Sequence, residues 1–80
     1  MSNLHDFQTL LSAYNQLLSD LQSTAEYYRQ LAKHYSYTDE PQLELVYSHL
    51  ASLALNRISE VEDAIEATRQ QIVELSAAIN

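Results

Sequence analysis

The sequence predicts an all-α fold: a two-helix antiparallel hairpin, similar to a coiled coil, that oligomerises into a helical bundle. Three observations favour this class. The 80 residues include no Gly and one Pro, so sandwiches, barrels and Gly-rich phosphate loops lack their usual turn residues. Apolar side chains recur at alternating spacings of three and four residues in both halves, which is the coiled-coil pattern. The lone Pro41 lies between the halves, so we expect one domain over residues 1–80 with a single turn.

The first element is a helix over about residues 3–36. With Leu4 at heptad position a, every a and d position is apolar or aromatic, and position g adds Leu10, Leu17 and Leu31. A stripe of three positions per heptad suits a bundle helix that contacts two neighbours. The a and d residues are Leu4, Phe7, Leu11, Tyr14, Leu18, Leu21, Ala25, Tyr28, Ala32 and Tyr35.

The second element is a turn over about residues 36–40. We interpret Ser36, Thr38 and Asp39 as N-cap residues for a second helix, with Pro41 in its first turn. Acidic residues there also suit the positive end of a helix dipole. The segment therefore predicts that one helix ends and another begins within a few residues.

The third element is a helix over about residues 39–79, and its pattern changes partway. Between Leu43 and Leu55 apolar residues cover most of the helix circumference, which predicts burial nearly all round. Two antiparallel helices share one line of contact, so this excess predicts another chain. A homodimer forming a four-helix bundle, a different helical protein and an open helical filament remain alternatives. Beyond this segment the seam is narrow: Ile58, Val61, Ile65, Thr68, Ile72, Leu75 and Ile79.

The predicted contact surface lies at the turn end of the hairpin. Most of the tyrosines flank the turn, and tyrosine provides a large contact area with a polar tip. For Tyr28 and Tyr35 the alternative is a core position at heptad d. The predicted partner-binding residues are Tyr27, Tyr28, Leu31, Tyr37, Leu45, Val46, Tyr47, Leu50, Leu53 and Leu55.

Charge and composition exclude several partners and reactions. Eleven acidic against four basic residues give a net charge of −7, so we expect neither nucleic-acid nor membrane binding. The chain has no Cys, which removes disulfides and cysteine nucleophiles. No secretory signal or apolar span is evident, so a cytoplasmic location is expected, with export by a route that reads no cleaved signal as the alternative. No nucleophile motif is present either, so we expect no enzyme and no catalytic residue.

Histidines and acidic residues offer candidate ligands, but their spacing does not predict a site. His34 and His49 can approach across the hairpin with Glu44 nearby, yet no pair of ligands lies three or four residues apart on one helix. We therefore predict no metal and no cofactor. Lys33 and Glu44 are candidates for an ion pair across the hairpin. The acidic run on helix two is interpreted as a solvated face paired with Arg57 and Arg69: Glu60, Glu62, Asp63 and Glu66.

One segment resembles a known family. On Asp39-Glu40-Pro41-Gln42-Leu43 and the apolar run from Leu45 to Leu55, the chain resembles the small helical-hairpin proteins of type III secretion. The resemblance implies a needle co-chaperone, which pairs with a second chaperone to keep the needle subunit soluble, or the needle subunit, whose hairpins polymerise into a tube. Residues 74–80 lack the basic or amide-rich character of needle subunits, which favours the co-chaperone.

The predicted function is a non-enzymatic protein–protein interaction module, an adaptor or small chaperone that acts by helix packing. Its partner is a second copy of the chain, another helical protein, or both. One alternative is a structural subunit of a helical polymer or secretion apparatus. The other is a small helical metal or cofactor binder.

Overall fold

The computed structural model describes residues 3–79, apart from the side chains of Asn3 and Ile79, and shows two antiparallel helices. Helix α1 spans Asn3–Tyr37 and helix α2 spans Pro41–Ile79. The hairpin is elongated, with dimensions of 61 × 14 × 14 Å. Neither helix is broken within these bounds. The predicted all-α, two-helix antiparallel hairpin is therefore confirmed, and the structure starts the second helix two residues later than the sequence predicted.

The helices pack along one continuous seam that follows the heptad pattern. Every a and d residue of α1 from Leu4 to Tyr35 is buried or half-buried. On α2 the narrow seam that begins at Ile58 continues back towards the turn with the same spacing. The buried residues include three alanines, Ala25, Ala51 and Ala54, and small residues let two helices approach closely. The α2 seam residues are Glu44, Tyr47, Ala51, Ala54, Ile58, Val61, Ile65, Thr68, Ile72 and Leu75.

Helix α1 ends at a residue in the left-handed conformation. Asp39 has φ 57°, a value that Gly usually adopts just beyond a helix C-terminus. The Glu40 amide donates to the Tyr35 carbonyl at 3.1 Å and the Thr38 amide to the His34 carbonyl at 3.2 Å. The first of these is the long hydrogen bond of a Schellman motif. Asp tolerates this conformation better than most residues, so Asp39 takes the place of the absent Gly.

The polar residues of the turn stabilise the end of α1 and do not cap α2, so the N-cap interpretation is wrong. The Ser36 hydroxyl donates to the Lys33 carbonyl at 2.9 Å, and the Thr38 hydroxyl donates to the Tyr35 carbonyl at 3.3 Å. A hydroxyl both donates and accepts, so serine and threonine suit either terminus of a helix. Asp39 adopts the left-handed conformation of the turn.

Helix α2 begins without a Ser, Thr or Asp cap. Its first backbone bond runs from the Glu44 amide to the Glu40 carbonyl at 3.0 Å, which makes Glu40 the N-cap residue and Pro41 the first helical residue. Proline is favoured there because its fixed φ suits a helix and its missing N–H is not needed. The Glu40 carboxylate also accepts a hydrogen bond from the Thr38 hydroxyl at 3.1 Å, so the turn is closed by its own side chains.

Asp39→Gly is expected to raise the free energy of unfolding by about 0.5–1 kcal/mol, because glycine adopts the left-handed conformation without the steric cost that Asp bears. This value is the net change, because the greater freedom of glycine in the unfolded chain already offsets part of the gain. Asp39→Val is expected to lower stability, since a β-branched residue tolerates this conformation poorly. Urea unfolding at fixed protein concentration checks both, and equal stability of the three proteins would contradict the expectation.

Thr68→Val is expected to stabilise the hairpin by about 1 kcal/mol. Thr68 is the buried polar residue of the part of the chain that the structure describes, and its hydroxyl donates to the Ala64 carbonyl at 2.7 Å. Valine has nearly the same shape and replaces a buried hydroxyl by a methyl group. Thr9→Val is the control, because Thr9 is exposed on α1 and its change should stay within about 0.5 kcal/mol. Urea unfolding measures both, and a loss of stability at Thr68 would contradict this.

Candidate interaction surface

Three tyrosine rings lie together across the seam beside the turn. The ring of Tyr47 lies nearly parallel to that of Tyr35, with centroids 5.5 Å apart and an interplanar angle of 11°. On its other side it lies 6.1 Å from the ring of Tyr28. Tyr47 is therefore held between successive d residues of α1, level with Ala32. These rings are half-buried and form part of the seam.

The remaining tyrosines near the turn are exposed. Tyr27 contacts the edge of the cluster, with its ring centroid 5.9 Å from that of Tyr28. Tyr37, the last residue of α1, is 78% exposed. The turn end thus contains a packed aromatic layer and two aromatic side chains outside it.

The seam divides the rest of the surface into two long faces. Each residue is rotated by about 100° from the one before it, so residues that precede a seam residue lie on one side and residues that follow lie on the other. Because the helices are antiparallel, the preceding residues of both helices lie on the same side of the hairpin. The character of each face follows from the residues at these positions.

One face is apolar, and we call it the leucine face. Its members immediately precede seam residues on the two helices. Leu31 and Leu50 are half-buried and the other members are exposed, so this face continues outward from the seam into solvent. The leucine face consists of Leu10, Leu17, Tyr27 and Leu31 of α1 and Leu43, Val46, Leu50 and Leu53 of α2.

The opposite face is polar. On α1 every residue that follows a seam residue, from His5 to Ser36, is polar or charged. On α2 the corresponding residues are mostly serines and charged side chains, with three exposed apolar exceptions, Leu45, Leu55 and Val73. The hairpin is therefore asymmetric about its seam, with its apolar excess concentrated on one side.

The structure does not bring the ten predicted contact residues together. Tyr28 and Tyr47 lie in the seam, Leu45 and Leu55 lie on the polar face, and Tyr37 lies at the end of α1. The other five belong to the leucine face: Tyr27, Leu31, Val46, Leu50 and Leu53.

Three members of the leucine face were missing from the predicted contact residues. These are Leu10, Leu17 and Leu43, which are 40%, 45% and 40% exposed. The signal that identifies them is the g position, which is leucine in three of the α1 heptads and again at Leu43 and Leu50 of α2. When the same heptad register is assigned to both helices, the apolar residues that precede seam residues on α1 and those on α2 form one surface.

The segment between Leu43 and Leu55 is buried within the single chain only on its seam side. Ala51 and Ala54 are buried there, whereas Leu45 and Leu53 are 71% and 47% exposed. One neighbouring helix covers one line of a helix surface, so α1 alone cannot bury the segment all round. Coverage of the remainder by another chain stays a prediction.

Charged side chains interrupt the leucine face near its middle. Arg57 and Glu60 follow Leu53 in the same three-four spacing and form an ion pair at 3.6 Å. A second exposed pair joins Arg29 to Glu26 at 3.8 Å. Exposed pairs of this kind contribute little to stability. The ion pair expected between Lys33 and Glu44 is not formed.

The histidines are exposed and are not gathered into a site. His34 packs edge-on against Tyr35, with ring centroids 5.1 Å apart, while His49 lies on the outer side of α2. Within residues 3–79 no group of three or more His, Asp or Glu side chains is arranged to hold a metal ion. Neither helix, over the described residues, has a stretch long and apolar enough to cross a membrane.

Comparison with known proteins identifies no relative of this chain. No family model, no curated protein and no solved structure matches the chain. The resemblance to type III secretion hairpins therefore stays a prediction. The leucine face is the feature of the described residues from which a function follows on physical grounds.

Proposed function

We propose that this protein is a protein–protein interaction module, an adaptor or small chaperone without enzymatic activity, that acts by packing helices of a partner against the leucine face. The observation that supports the proposal is the asymmetry of the hairpin. Large apolar side chains of both helices lie on one face, mostly in the half nearest the turn, whereas every α1 residue on the opposite face from His5 to Ser36 is polar or charged. Large exposed apolar patches of this kind mark interaction sites on soluble proteins.

The driving force for binding is the removal of these side chains from water. Fully burying a leucine or valine contributes about 1.5–3 kcal/mol. The exposed members of the leucine face are 40–60% exposed, so each has about half of that to gain from a partner that covers it. Tyr27 adds an aromatic side chain to the patch, and tyrosine is among the residue types that most often dominate binding. The polar face keeps the complex soluble.

A structural subunit of a helical polymer is the second candidate. A polymer needs two different surfaces on each subunit, so that contacts continue from one copy to the next. Leu45, Leu55 and Val73 provide a smaller apolar surface on the polar face. They are isolated by Ser48, Ser52 and neighbouring polar residues, which is why the interaction module is the preferred proposal.

Site-specific photocrosslinking tests the interaction module. A photoreactive amino acid is placed at Leu53, on the leucine face, or at the adjacent Ser52, on the polar face, and the protein is illuminated in the cells that produce it. We expect a discrete protein adduct at Leu53 and little or none at Ser52. Equal labelling at both positions, or no adduct at either, would count against the proposal.

A further inference from the structure

We propose that the leucine face binds the leucine face of a second copy of this chain, forming a four-helix bundle in which both turns lie at the same end. This inference rests on the proposed function and adds the identity and orientation of the partner. It is carried by three properties of the face: its size, its width across both helices and the distribution of apolar and charged residues along it.

The size of the face matches a stable interface. The hairpin extends over 61 Å by 14 Å, so one whole long side, with its charged residues included, has a projected area of about 850 Å², close to the roughly 800 Å² that each partner contributes to a standard interface. A second hairpin has the same length and width, so two copies cover one another completely. The association closes as a dimer and leaves no leucine face exposed.

The width of the face requires a partner with two helices. Leu31 and Leu50 lie next to the seam and are already half-buried. Tyr27, Val46 and Leu53 lie further out, on the outer edges of the two helices. A single helix in the groove between α1 and α2 covers the inner residues and leaves the outer ones in water. In a second copy, α1 packs over α2 and α2 packs over α1, so both edges are covered.

The apolar residues decide the orientation of the second copy. Most of the leucine face lies in the half of the hairpin nearest the turn, from Tyr27 to Leu53. With both turns at one end, this half of one copy packs against the same half of the other copy. With the turns at opposite ends, Val46 would face Gln71 and Glu74 of the second copy, which would bury polar groups against apolar ones.

The charged residues agree with the same orientation. The contacts of Tyr47 with Tyr28 and Tyr35 set a register in which Asp20 of α1 is level with Arg57 and Glu60 of α2. When both turns lie at one end, Asp20 of the second copy lies over this ion pair, so its carboxylate approaches the Arg57 guanidinium as well as the Glu60 carboxylate. With the turns at opposite ends, Asp20 would face Asp20 of the other copy, without a guanidinium nearby. Arg57 is 72% exposed at its side chain in the single chain, so it is free to adopt this position. A polar layer of this kind also helps to fix register.

The mass of the purified chain in solution tests the second copy. Light scattering is expected to give twice the 9.1 kDa of one chain. Val46→Glu with Leu53→Glu is expected to reduce the mass to one chain while the protein stays helical by circular dichroism. The matched control is Leu45→Glu with Leu55→Glu, because Leu53 and Leu55 are 47% and 48% exposed on opposite faces; this variant should remain a dimer.

Spin labels test the orientation. The chain has no Cys, so Gln42→Cys carries a single label close to the turn. With both turns at one end, the two labels lie within about 30 Å, roughly three helix spacings. With the turns at opposite ends, the separation approaches the 61 Å length of the hairpin. Distances measured by electron–electron double resonance distinguish the two orientations, and the long distance would overturn the proposed one.

Other measured masses would overturn the proposal that the partner is a second copy. A folded wild-type chain with the mass of one copy, or an unfolded chain that folds only with a different protein, rules out the homodimer. A mass that grows with concentration rules out a closed pair and favours the polymer. A single-copy mass together with a crosslink at Leu53 in cells would reject this inference and leave the interaction module standing. Absence of the Leu53 crosslink would reject both the homodimer and the interaction module.

Discussion

Ile65→Asp is expected to unfold the hairpin completely. Ile65 is 5% exposed and lies in the middle of the α2 seam. Shortening a buried isoleucine costs about 2–5 kcal/mol, and an unpaired carboxylate in the same place adds several more. A domain of this size has a total stability of roughly 4–12 kcal/mol. The loss is therefore comparable to the whole free energy of folding, and the helical circular dichroism signal should collapse.

The control for this variant introduces the same charge outside the seam. Gln70→Asp lies on the exposed outer side of α2, where a carboxylate remains in water and the change should stay within about 0.5 kcal/mol. Equal helicity of the Ile65→Asp and Gln70→Asp proteins at low concentration would show that the seam does not hold the hairpin together. Loss of helicity in both would point to helix propensity instead of burial.

The seam is the part of the structure that the sequence predicts well. In α1 the three-four spacing of apolar residues from Leu4 to Tyr35 identifies the residues that are buried or half-buried. In α2 the same spacing is hidden between Leu43 and Leu55, because apolar residues outside the seam fill the gaps in the pattern. Extending the regular spacing backward from Ile58 recovers the α2 seam up to the turn.

The division into an apolar and a polar face depends on the fold and not on the local pattern. Adjacent residues such as Leu45 and Val46 are both exposed and apolar, and they differ only in the side of the seam on which they lie. That side is defined once the partner helix and its register are known. The sequence pattern likewise predicts Tyr28 and Tyr47 as contact residues, whereas their ring contact joins the two helices and is not visible in either helix alone.

The turn shows a different limit of sequence reasoning. Ser36 and Thr38 have the chemistry of N-cap residues, but the structure uses their hydroxyls as donors to α1 carbonyls. The residue that determines this is Asp39, whose left-handed conformation ends α1 before α2 begins. A chain without Gly must place another residue there, and composition alone does not say which one.

Tyr47→Ala is expected to have the second large effect, a loss of about 3 kcal/mol in the free energy of unfolding. The ring of Tyr47 lies between those of Tyr28 and Tyr35. Truncating a buried aromatic residue typically costs about 3–5 kcal/mol. Partial burial of Tyr47 lowers this value, while loss of two aromatic pairs raises it. Urea unfolding at fixed protein concentration measures the change.

Tyr37→Ala separates this packing role from a general effect of removing a tyrosine near the turn. Tyr37 is 78% exposed, so its loss should change stability by less than about 0.5 kcal/mol. Because Tyr47 lies in the seam and not on the leucine face, Tyr47→Ala should also leave the mass of the folded protein unchanged. A Tyr47→Ala protein with wild-type stability and an altered mass would instead identify Tyr47 as a contact residue, since an interface side chain affects association and a seam side chain affects folding.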